Sequence, residues 1–370
     1  MKPLLKWPGG KSREIGQIYG LIPEYKRYIE PFFGGGALYF HLQPQQALIN
    51  DTSSDLMCFY SLLREQSPEL LEELNAYAVS FRSLVELARS RVTSLLDLFA
   101  LLSSDREAAA ANLSRLLDSW MPEIMDTFPC PLVQSEAAFR QELEDSVWDK
   151  LIRTEANHAK RPFSPEDLSE NLVTGFASGY YMYFRQVYND WNMGRNRLAV
   201  PSQCANFFFI REFCYGSMFR YNAKGEFNIP YGGMSYNDKD FAAKVSSLED
   251  PELQELLSGT EIHCRDFEDF LNRINPGKDD FIFLDPPYDT EFADYEGAAF
   301  SKLDHARLAL ALSRTKAKFL LIIKETPFIS ALYSEGFYVQ SFDKQYSYNV
   351  RSRNDRTAQH LIITNYPTEP

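Results

Sequence analysis

Short apolar runs ending in polar or glycine-rich turns recur in the first 60 and the last 110 residues of the chain. Residues 28–33, 47–51, 281–284 and 319–323 each form such a run. Runs of this length, separated by amphipathic stretches, are typical of buried parallel strands with helices packed between them. The pattern therefore predicts an α/β fold for the two ends of the chain.

The middle of the chain has a different pattern. From residue 56 to about 170, leucines recur at helical spacing and no strand-like alternation is present. Proline, which removes a backbone donor, predicts where these helices break. The predicted breaks are at Pro68, Pro122, 129–131 and 162–165.

Charge separates this helical stretch from the rest. Residues 61–170 hold 20 acidic and 11 basic residues, so they carry −9 of the net charge of −13 and leave −4 for the remainder. An acidic net charge argues against nucleic acid as a partner, but its concentration in one segment weakens that argument. We interpret 61–170 as an acidic helical insertion.

Aromatic residues dominate the next part, where helices are predicted over 174–191 and 206–219. Polar and aromatic residues then alternate around Lys224-Gly225, which predicts a β-hairpin at about 220–231. Four of its residues have donors that could contact base edges or phosphates. They are Arg220, Asn222, Lys224 and Asn228. A hairpin whose charges are merely solvated is the alternative.

Three further strands are predicted after the hairpin, over 261–267, 337–342 and 360–364, the last two as a closing antiparallel pair. A loop between that pair carries four basic residues and a net charge of +2. Such a loop could bind DNA phosphates. The basic residues are Lys344, Arg351, Arg353 and Arg356.

The sequence Asp285-Pro286-Pro287-Tyr288 directly follows the apolar run 281–284. In open α/β sheets, ligands bind beyond the carboxyl ends of the strands. A carboxylate and a carbonyl freed of donors by proline can accept both hydrogens of an exocyclic amine, and a tyrosine ring can stack on the base. This tetrapeptide indicates a pocket for an amino-nucleobase, although a plain strand followed by a Pro-Pro turn fits too.

A glycine-rich turn, Gly34-Gly35-Gly36, follows the first strand and precedes a predicted helix. Its spacing matches neither a phosphate-binding P-loop nor a dinucleotide fingerprint. Asp51 ends the second strand, where an acid can bind ribose hydroxyls or cap the next helix. Asp266 and Phe267 at the tip of the strand 261–267 could border an adenine ring.

Cysteine usage and hydropathy limit the cellular setting. The five cysteines are scattered, with no C-x-x-C pair and no histidine cluster, which predicts reduced thiols and no metal site. The first residues lack the apolar region of a signal peptide, and no apolar run reaches the ~18 residues of a membrane span. We therefore expect a soluble cytoplasmic protein without a membrane partner.

Five motifs occur in one order along the chain. They are Lys6-Trp7-Pro8-Gly9-Gly10-Lys11, Glu30-Pro31-Phe32-Phe33-Gly34-Gly35-Gly36, Asn50-Asp51 with Asp55-Leu56, Arg220-Tyr221-Asn222 with Gly225 to Pro230, and Asp285-Pro286-Pro287-Tyr288. Together they resemble the Dam-like DNA adenine-N6 methyltransferases, the D12 class of the α-group. The resemblance covers roughly 1–60 and 205–365.

The resemblance implies a Rossmann-like fold that binds S-adenosylmethionine, with an inserted helical subdomain and a target-recognition hairpin. The implied catalytic domain consists of residues 1–60 and 255–370. Between these two parts lie the insertion 61–170 and the recognition region 171–254. The implied catalytic residues are 285–288. The implied cofactor residues are Trp7, Lys11, Glu30, Phe32, Gly34, Gly36, Asp51, Asp266, Phe267 and Asp285. The implied DNA-binding residues are Lys6, Arg220, Asn222, Lys224, Asn228, Arg351 and Arg353.

The resemblance further implies that an adenine flipped out of double-stranded DNA is methylated at N6 without a metal. A cytosine-N4 methyltransferase with a similar tetrapeptide, or an inactive DNA-binding relative, are the alternatives. RNA and protein-glutamine methyltransferases usually have asparagine at the place of Asp285, which argues against them. The acidic insertion could bind a protein partner, because like charge facing DNA is unfavourable.

Overall fold

A computed structural model describes residues 1–8, 10–11, 14–288, 300–345 and 357–368. The chain divides into two compact units. The sheet unit comprises 1–64 and 251–370, and the helical unit comprises 65–250. The predicted insertion 61–170 and recognition region 171–254 fall in the helical unit, except for residues 61–64 and 251–254, which belong to the sheet unit. Their separate roles stay a prediction.

The strands are β1 (Arg27–Glu30), β2 (Ala47–Asn50), β3 (Thr260–His263), β4 (Asp280–Leu284), β5 (Lys318–Lys324), β6 (Tyr338–Gln345) and β7 (Thr357–Thr364). The helices of the sheet unit are α1 (Ile15–Ile18), α2 (Ala37–Leu42), α3 (Ser54–Arg64), α11 (Pro251–Ser258), α12 (Phe267–Ile274), α13 (Lys302–Arg314) and α14 (Pro327–Leu332). Those of the helical unit are α4 (Pro68–Ser90), α5 (Val92–Leu102), α6 (Arg106–Asp126), α7 (Glu136–Lys160), α8 (Pro165–Asn192), α9 (Val200–Phe213) and α10 (Phe241–Ser246).

One seven-stranded sheet, ordered β3-β2-β1-β4-β5-β7-β6, organises the sheet unit. The first five strands in that order are parallel, and β7 runs antiparallel to both β5 and β6. Every residue of β2 and β4 is buried, as expected for parallel strands covered on both faces. The α/β fold and the closing antiparallel pair are thus confirmed.

Two helices of the helical unit lie unusually close together. A Cβ atom placed on Gly179 of α8 would lie 2.9 Å from the Cα of Leu143 on α7, and one on Gly175 would lie 3.0 Å from the Cα of Val147. A Cβ contact under 3.0 Å is essentially never observed, so only glycine fits at position 179, and the contact at position 175 would be unusually tight. The two glycines, one turn apart, therefore fix how α8 packs against α7.

Two predictions about helix boundaries are wrong. Pro122 lies inside α6 instead of ending it, because the buried face around Trp120 and Ile124 holds the helix together on both sides of the proline. The helix predicted over 206–219 ends at Phe213, where a 3₁₀ turn over Tyr215–Ser217 begins with Gly216 at a φ of +62°.

The hairpin predicted at about 220–231 is present in shortened form, as an antiparallel bridge between Tyr221 and Phe227. The segment forms only two isolated bridges, Cys214 to Tyr231 and Tyr221 to Phe227, and no continuous strands. The side chain of Asn222 replaces part of the ladder, since its Oδ1 accepts hydrogen bonds from the backbone N–H groups of Lys224 and Glu226. We call residues 214–231 the recognition loop.

Candidate active site

The order of the strands creates a crevice between β1 and β4. β1 and β4 are parallel neighbours in the middle of the sheet. From β1 the sheet continues through β2 to β3 in one direction, and from β4 it continues to β5 in the other, so the strand order reverses between β1 and β4. Ligands bind outside the carboxyl ends of the strands at such a reversal. Glu30 ends β1 and Asp285 follows β4, so the topology brings both acids to this crevice.

The glycine-rich turn adopts the backbone conformation that the sequence predicts. Gly34 and Gly36 have φ angles of +49° and +63°, in the left-handed region that favours glycine. A Cβ on Gly36 would lie 2.4 Å from Cζ of Phe33, and one on Gly34 would lie 2.9 Å from Cδ1 of Trp7. Trp7 therefore packs directly on the turn, which joins two of the predicted cofactor motifs.

Asp51 is bound to the same turn. Its Oδ2 accepts a hydrogen bond of 2.9 Å from the Gly34 N–H, and its Oδ1 accepts one of 2.9 Å from the Ser53 N–H. Burial raises the pKa of Asp51, although these backbone hydrogen bonds act in the opposite direction. The backbone N–H of Thr52 is a third donor to Asp51. A carboxylate has about four lone-pair sites, so fixing the turn and binding a ribose hydroxyl are compatible roles.

Asn50 joins three strand ends, a role that the sequence did not reveal. Its Nδ2 donates hydrogen bonds of 3.0 Å to the carbonyls of Pro31 and Arg265, and its Oδ1 accepts one from the Arg265 N–H. The side chain is 1% exposed. An asparagine as the last residue of an otherwise apolar buried strand was the available indication.

Lys11 contacts two residues of the tetrapeptide. Its Nζ donates hydrogen bonds to Asp285 Oδ1 and, at 2.7 Å, to the hydroxyl of Tyr288. The Lys11 side chain is 2% exposed and that of Asp285 is 19% exposed. The resemblance placed Lys11 among the cofactor residues, whereas the structure places its ammonium group on the predicted catalytic residues.

The ring of Tyr288 packs against a histidine that the sequence analysis missed. His360 of β7 is fully buried, and its ring centroid lies 5.3 Å from that of Tyr288 at an interplanar angle of 70°. Pro286 is buried and Pro287 is exposed. Together with the Lys11 hydrogen bond, this edge contact fixes the plane in which Tyr288 lies. A lone histidine leading into the apolar strand 360–364 was the only indication in the sequence.

Glu30 is almost completely buried, at 2% exposure. Its Oε2 accepts a hydrogen bond of 2.8 Å from the Tyr28 hydroxyl. Burial raises the pKa of Glu30 well above its usual range, and the nearby charges of Asp285 and Asp51 raise it further, against the effect of the tyrosine hydrogen bond. A cation bound nearby would therefore favour the ionised form of Glu30.

Phe32, Phe267 and Phe300 form a ring cluster beside these strand ends, with centroids 5.4 to 5.5 Å apart. Asp266 is the N-cap of α12 and also pairs with Arg307 at 2.6 Å, so the strand predicted over 261–267 ends earlier and a helix begins here. Phe267 is 3% exposed. The cofactor roles of Phe32, Asp266 and Phe267 stay predictions.

In the helical unit, the predicted DNA-binding residues share the recognition loop. Arg220 and Lys224 are exposed, and Arg220 Nε donates a hydrogen bond of 3.2 Å to Asn228 Oδ1. Asn222 uses its side-chain oxygen to close the loop, as described above. In the sheet unit Lys6 is exposed. Arg351 and Arg353 lie outside the described residues.

Two apolar side chains beside Arg220 were not singled out from the sequence. Tyr215 and Met218 are 46% and 37% exposed in the turn that precedes it. No sequence pattern marked these two residues, because this turn was predicted to be the end of a helix.

Within the described ranges, no helix is long and apolar enough to cross a membrane. The same ranges contain no group of three or more His, Cys, Asp or Glu residues that could hold a metal ion. All five cysteines are described, and none forms a disulfide.

Comparison with known proteins gives one consistent result. The family model of the D12 class N6 adenine-specific DNA methyltransferases matches residues 7–87 and 147–348, more than half of the chain. The type II methyltransferase M.CviBI of Paramecium bursaria Chlorella virus NC1A is 24% identical over 374 residues, which cover 99% of this chain and all of the relative. The type II methyltransferase M.MjaIII of Methanocaldococcus jannaschii is 25% identical, with 99% of each chain covered. A DNA adenine methylase of Vibrio cholerae is 21% identical over 85% of this chain and 76% of its own.

Proposed function

Because this chain belongs to the D12 class of N6 adenine-specific DNA methyltransferases, we propose that residues 285–288 form the pocket in which a flipped adenine is methylated. The observation that carries the proposal is the position of Lys11 Nζ, bonded to Asp285 and Tyr288 at the carboxyl end of β4. This contact holds a carboxylate and an aromatic ring in fixed relative positions at the strand-order reversal. Flipping the base costs a few kcal/mol, which binding in this pocket would offset.

S-adenosylmethionine is the methyl donor that the family implies, and the crevice fits it. A sulfonium and an ammonium cation suit a site that contains the carboxyl groups of Glu30, Asp51 and Asp285. The left-handed glycines permit close backbone approach, and Trp7 supplies a flat face beside them. We propose that these residues, with Phe32, Asp266 and Phe267, hold the cofactor, which supplies an activated methyl group. No metal is part of the proposal.

The tetrapeptide residues have separate tasks. With Oδ1 of Asp285 bound by Lys11, its Oδ2 can accept one N6 hydrogen of the adenine, and the Pro286 carbonyl can accept the other. Holding both hydrogens localises the nitrogen lone pair. Tyr288 stacks on the base, in a plane fixed by His360 and Lys11. Because the methyl group is already activated, positioning supplies most of the acceleration.

The direct test uses double-stranded DNA and S-adenosylmethionine with a labelled methyl group. The DNA is digested to nucleosides and the labelled nucleoside is identified. We expect N6-methyladenine. N4-methylcytosine as the product would instead show that the protein is a cytosine-N4 methyltransferase. The absence of any labelled nucleoside would support an inactive DNA-binding relative.

The recognition loop is proposed to read the DNA sequence. The arginine fork of Arg220 matches O6 and N7 of guanine in the major groove, whereas Lys224 at the loop tip suits a phosphate. Arg220→Ala should therefore cost about 1–3 kcal/mol on the cognate site and relax the preference at one guanine. Lys224→Ala should weaken binding to all DNA sequences equally. It should also reduce by about one the slope of the logarithm of the binding constant against the logarithm of the salt concentration.

Methylation of a randomised duplex pool by each variant, followed by sequencing of the products, separates these effects. If Arg220→Ala keeps the wild-type preference, Arg220 is not the reader. The alternative is that Arg220 is a structural residue paired with an acid such as Glu226. In the structure Glu226 pairs with Arg195 at 2.8 Å instead, and Arg220 Nε donates a hydrogen bond to Asn228.

Two broader proposals concern the cellular setting. The acidic helices within 61–170 are proposed to contact a protein partner instead of DNA, because like charges repel. DNA cross-links that map mainly to this segment would contradict that assignment.

A cytoplasmic location is proposed from the DNA substrate and from five cysteines without a disulfide. Recovery of the protein mainly outside the cytoplasmic fraction would contradict it.

A further inference from the structure

The hydrogen bonds of the recognition loop leave two residues, Tyr221 and Phe227, with their backbone groups directed outward. The Asn222 N–H donates to the Glu226 carbonyl at 2.8 Å, and the Asn228 N–H donates to the Arg220 carbonyl at 3.2 Å. These two bonds flank the bridged residues Tyr221 and Phe227. In antiparallel pairing, residues so flanked do not bond to each other, and their N–H and C=O groups point away from the partner strand.

Asn189 of α8 binds both outward groups of Phe227. Its Nδ2 donates a hydrogen bond of 3.1 Å to the Phe227 carbonyl, and its Oδ1 accepts one of 2.8 Å from the Phe227 N–H. Asn189 is 4% exposed and Phe227 is 1% exposed. Without this amide, two buried backbone groups would lose their hydrogen-bond partner, which is unfavourable. One side chain thus replaces the missing neighbouring strand.

The same face of α8 holds the next outward carbonyl of the loop. The Ile229 carbonyl accepts hydrogen bonds from the Tyr181 hydroxyl at 2.9 Å and from Arg185 Nη1 at 3.3 Å. Residues 181, 185 and 189 are four apart and therefore lie on one side of the helix. Along an extended segment, the backbone groups of every second residue point in the same direction. Phe227 and Ile229 are two residues apart, so their carbonyls point to the same side. The loop therefore lies on α8 in one register.

The register determines where the proposed readers project. Arg220 directly precedes Tyr221, and Asn228 directly follows Phe227. Neighbouring residues of an extended segment point to opposite sides. Accordingly Phe227 is buried, Arg220 is exposed, and Arg220 and Asn228 bond to each other.

We propose that Asn189 is a positioning residue for DNA sequence reading: by binding both backbone groups of Phe227, it sets the place from which Arg220 and Asn228 meet the base edges. The inference rests on the proposed role of the recognition loop. Asn189 is buried beneath the loop and acts through the backbone, without contact to DNA.

The test uses two substitutions of Asn189. Asn189→Leu removes both hydrogen bonds, and Asn189→Asp keeps the acceptor for the Phe227 N–H but sets a carboxylate against the Phe227 carbonyl. Each variant methylates the randomised duplex pool below its thermal midpoint, and the preference for the cognate site over its single-base variants is measured. We expect the preference ratio to fall by about 2- to 30-fold, the size of effect typical of residues that act without touching the ligand.

Asn206 provides a matched control in the same unit. It is 1% exposed, and its Nδ2 donates hydrogen bonds to the Phe184 carbonyl at 3.0 Å and to the Tyr77 hydroxyl at 3.1 Å, away from the loop. Asn206→Leu should lower the thermal midpoint without changing the preference ratio. A folded Asn189→Leu or Asn189→Asp with the wild-type ratio would overturn the proposal. An equal change of the ratio in Asn206→Leu would also overturn it, because loss of stability would then be the cause.

Arg220→Ala is assayed beside these variants to keep the two proposals distinct. If Arg220→Ala changes the ratio and the Asn189 variants do not, only the positioning role fails. If the Asn189 variants change the ratio and Arg220→Ala does not, the positioning role stands and another loop residue reads the base.

Should neither Asn189 variant fold, amide hydrogen exchange of the wild-type enzyme gives the answer. The Phe227 N–H should exchange as slowly as the amides of α8. Exchange as fast as at the exposed loop residue Ala223 would overturn the proposal.

Discussion

The two edges of the parallel sheet each carry a lysine–aspartate pair, in opposite environments. At the amino edge, Lys26 Nζ lies 2.8 Å from Asp279 Oδ2, and the side chains are 77% and 49% exposed. At the carboxyl edge, the side chains of Lys11 and Asp285 are 2% and 19% exposed. An exposed pair contributes about 0–1 kcal/mol, whereas burying a charged pair costs several kcal/mol of desolvation. The carboxyl edge therefore holds charge where folding stability alone would not place it.

The pKa values of the carboxyl groups are shifted in opposite directions at the two edges. The hydrogen bond from Lys26 lowers the pKa of Asp279. Burial alone would raise the pKa of Asp280, but the hydrogen bonds from Arg27 and the Gly277 N–H outweigh it and lower the pKa. Burial raises the pKa of Glu30 and of Asp51 at the other edge. Carboxyl groups kept in unfavourable surroundings are characteristic of functional sites.

The largest expected effect is on catalysis and distinguishes the two ends of β4. Asp285→Ala should lower the single-turnover methylation rate by on the order of 10²–10⁴-fold, because an acceptor of an amine hydrogen is lost. Asp279→Ala, just before the start of the same strand, should leave the rate within about twofold, since exposed pairs contribute little. A wild-type rate from folded Asp285→Ala would remove the assignment of the pocket.

The amino edge should instead affect stability. Arg27 Nε and Nη2 donate hydrogen bonds of 2.8 and 2.6 Å to the two oxygens of Asp280, which is 5% exposed. Arg27→Met should lower the free energy of unfolding by about 1–3 kcal/mol, as expected for hydrogen bonds to a charged group, and leave the methylation rate unchanged. Denaturant unfolding and single-turnover assays check the two halves of this prediction. A slower methylation rate in folded Arg27→Met would contradict the prediction that the amino edge affects stability alone.

The pH dependence of stability should differ in direction between the edges. A carboxyl with a raised folded pKa, such as Glu30, contributes stability that is full below its unfolded pKa and is lost as the pH rises through the folded pKa. Asp280, with a lowered pKa, contributes stability that is present above its unfolded pKa and is lost as the pH falls. Glu30→Gln should therefore flatten the alkaline decline of stability, and Asp280→Asn the acidic decline. Denaturant unfolding at a series of pH values measures both, and curves parallel to wild type would contradict the prediction.

The sequence predicted what local patterns determine. Apolar runs located the strands, and Asp285 and the turn Gly34–Gly36 were placed at strand ends because a polar or glycine-rich segment follows each run. The contact of Lys11 with Asp285 joins residues 274 positions apart, which no local pattern records. The alternation around Lys224 predicted paired strands, but a side chain of Asn222 closes the loop and Asn189 takes the place of a strand. Tertiary hydrogen bonds of this kind depend on which elements meet, and this information lies outside any short segment.

The most direct measurement of the central claim compares Lys11→Met with Lys26→Met. Both substitutions remove a lysine from a lysine–aspartate pair of the same sheet, one at each edge. Single-turnover methylation is measured at saturating DNA and S-adenosylmethionine, so that weaker binding does not contribute. We expect Lys11→Met to slow the reaction by about tenfold or more, because breaking a buried pair leaves the Asp285 carboxylate without its lysine. We expect the rate of Lys26→Met to stay within about twofold of wild type. Equal rates for the two folded variants would contradict it.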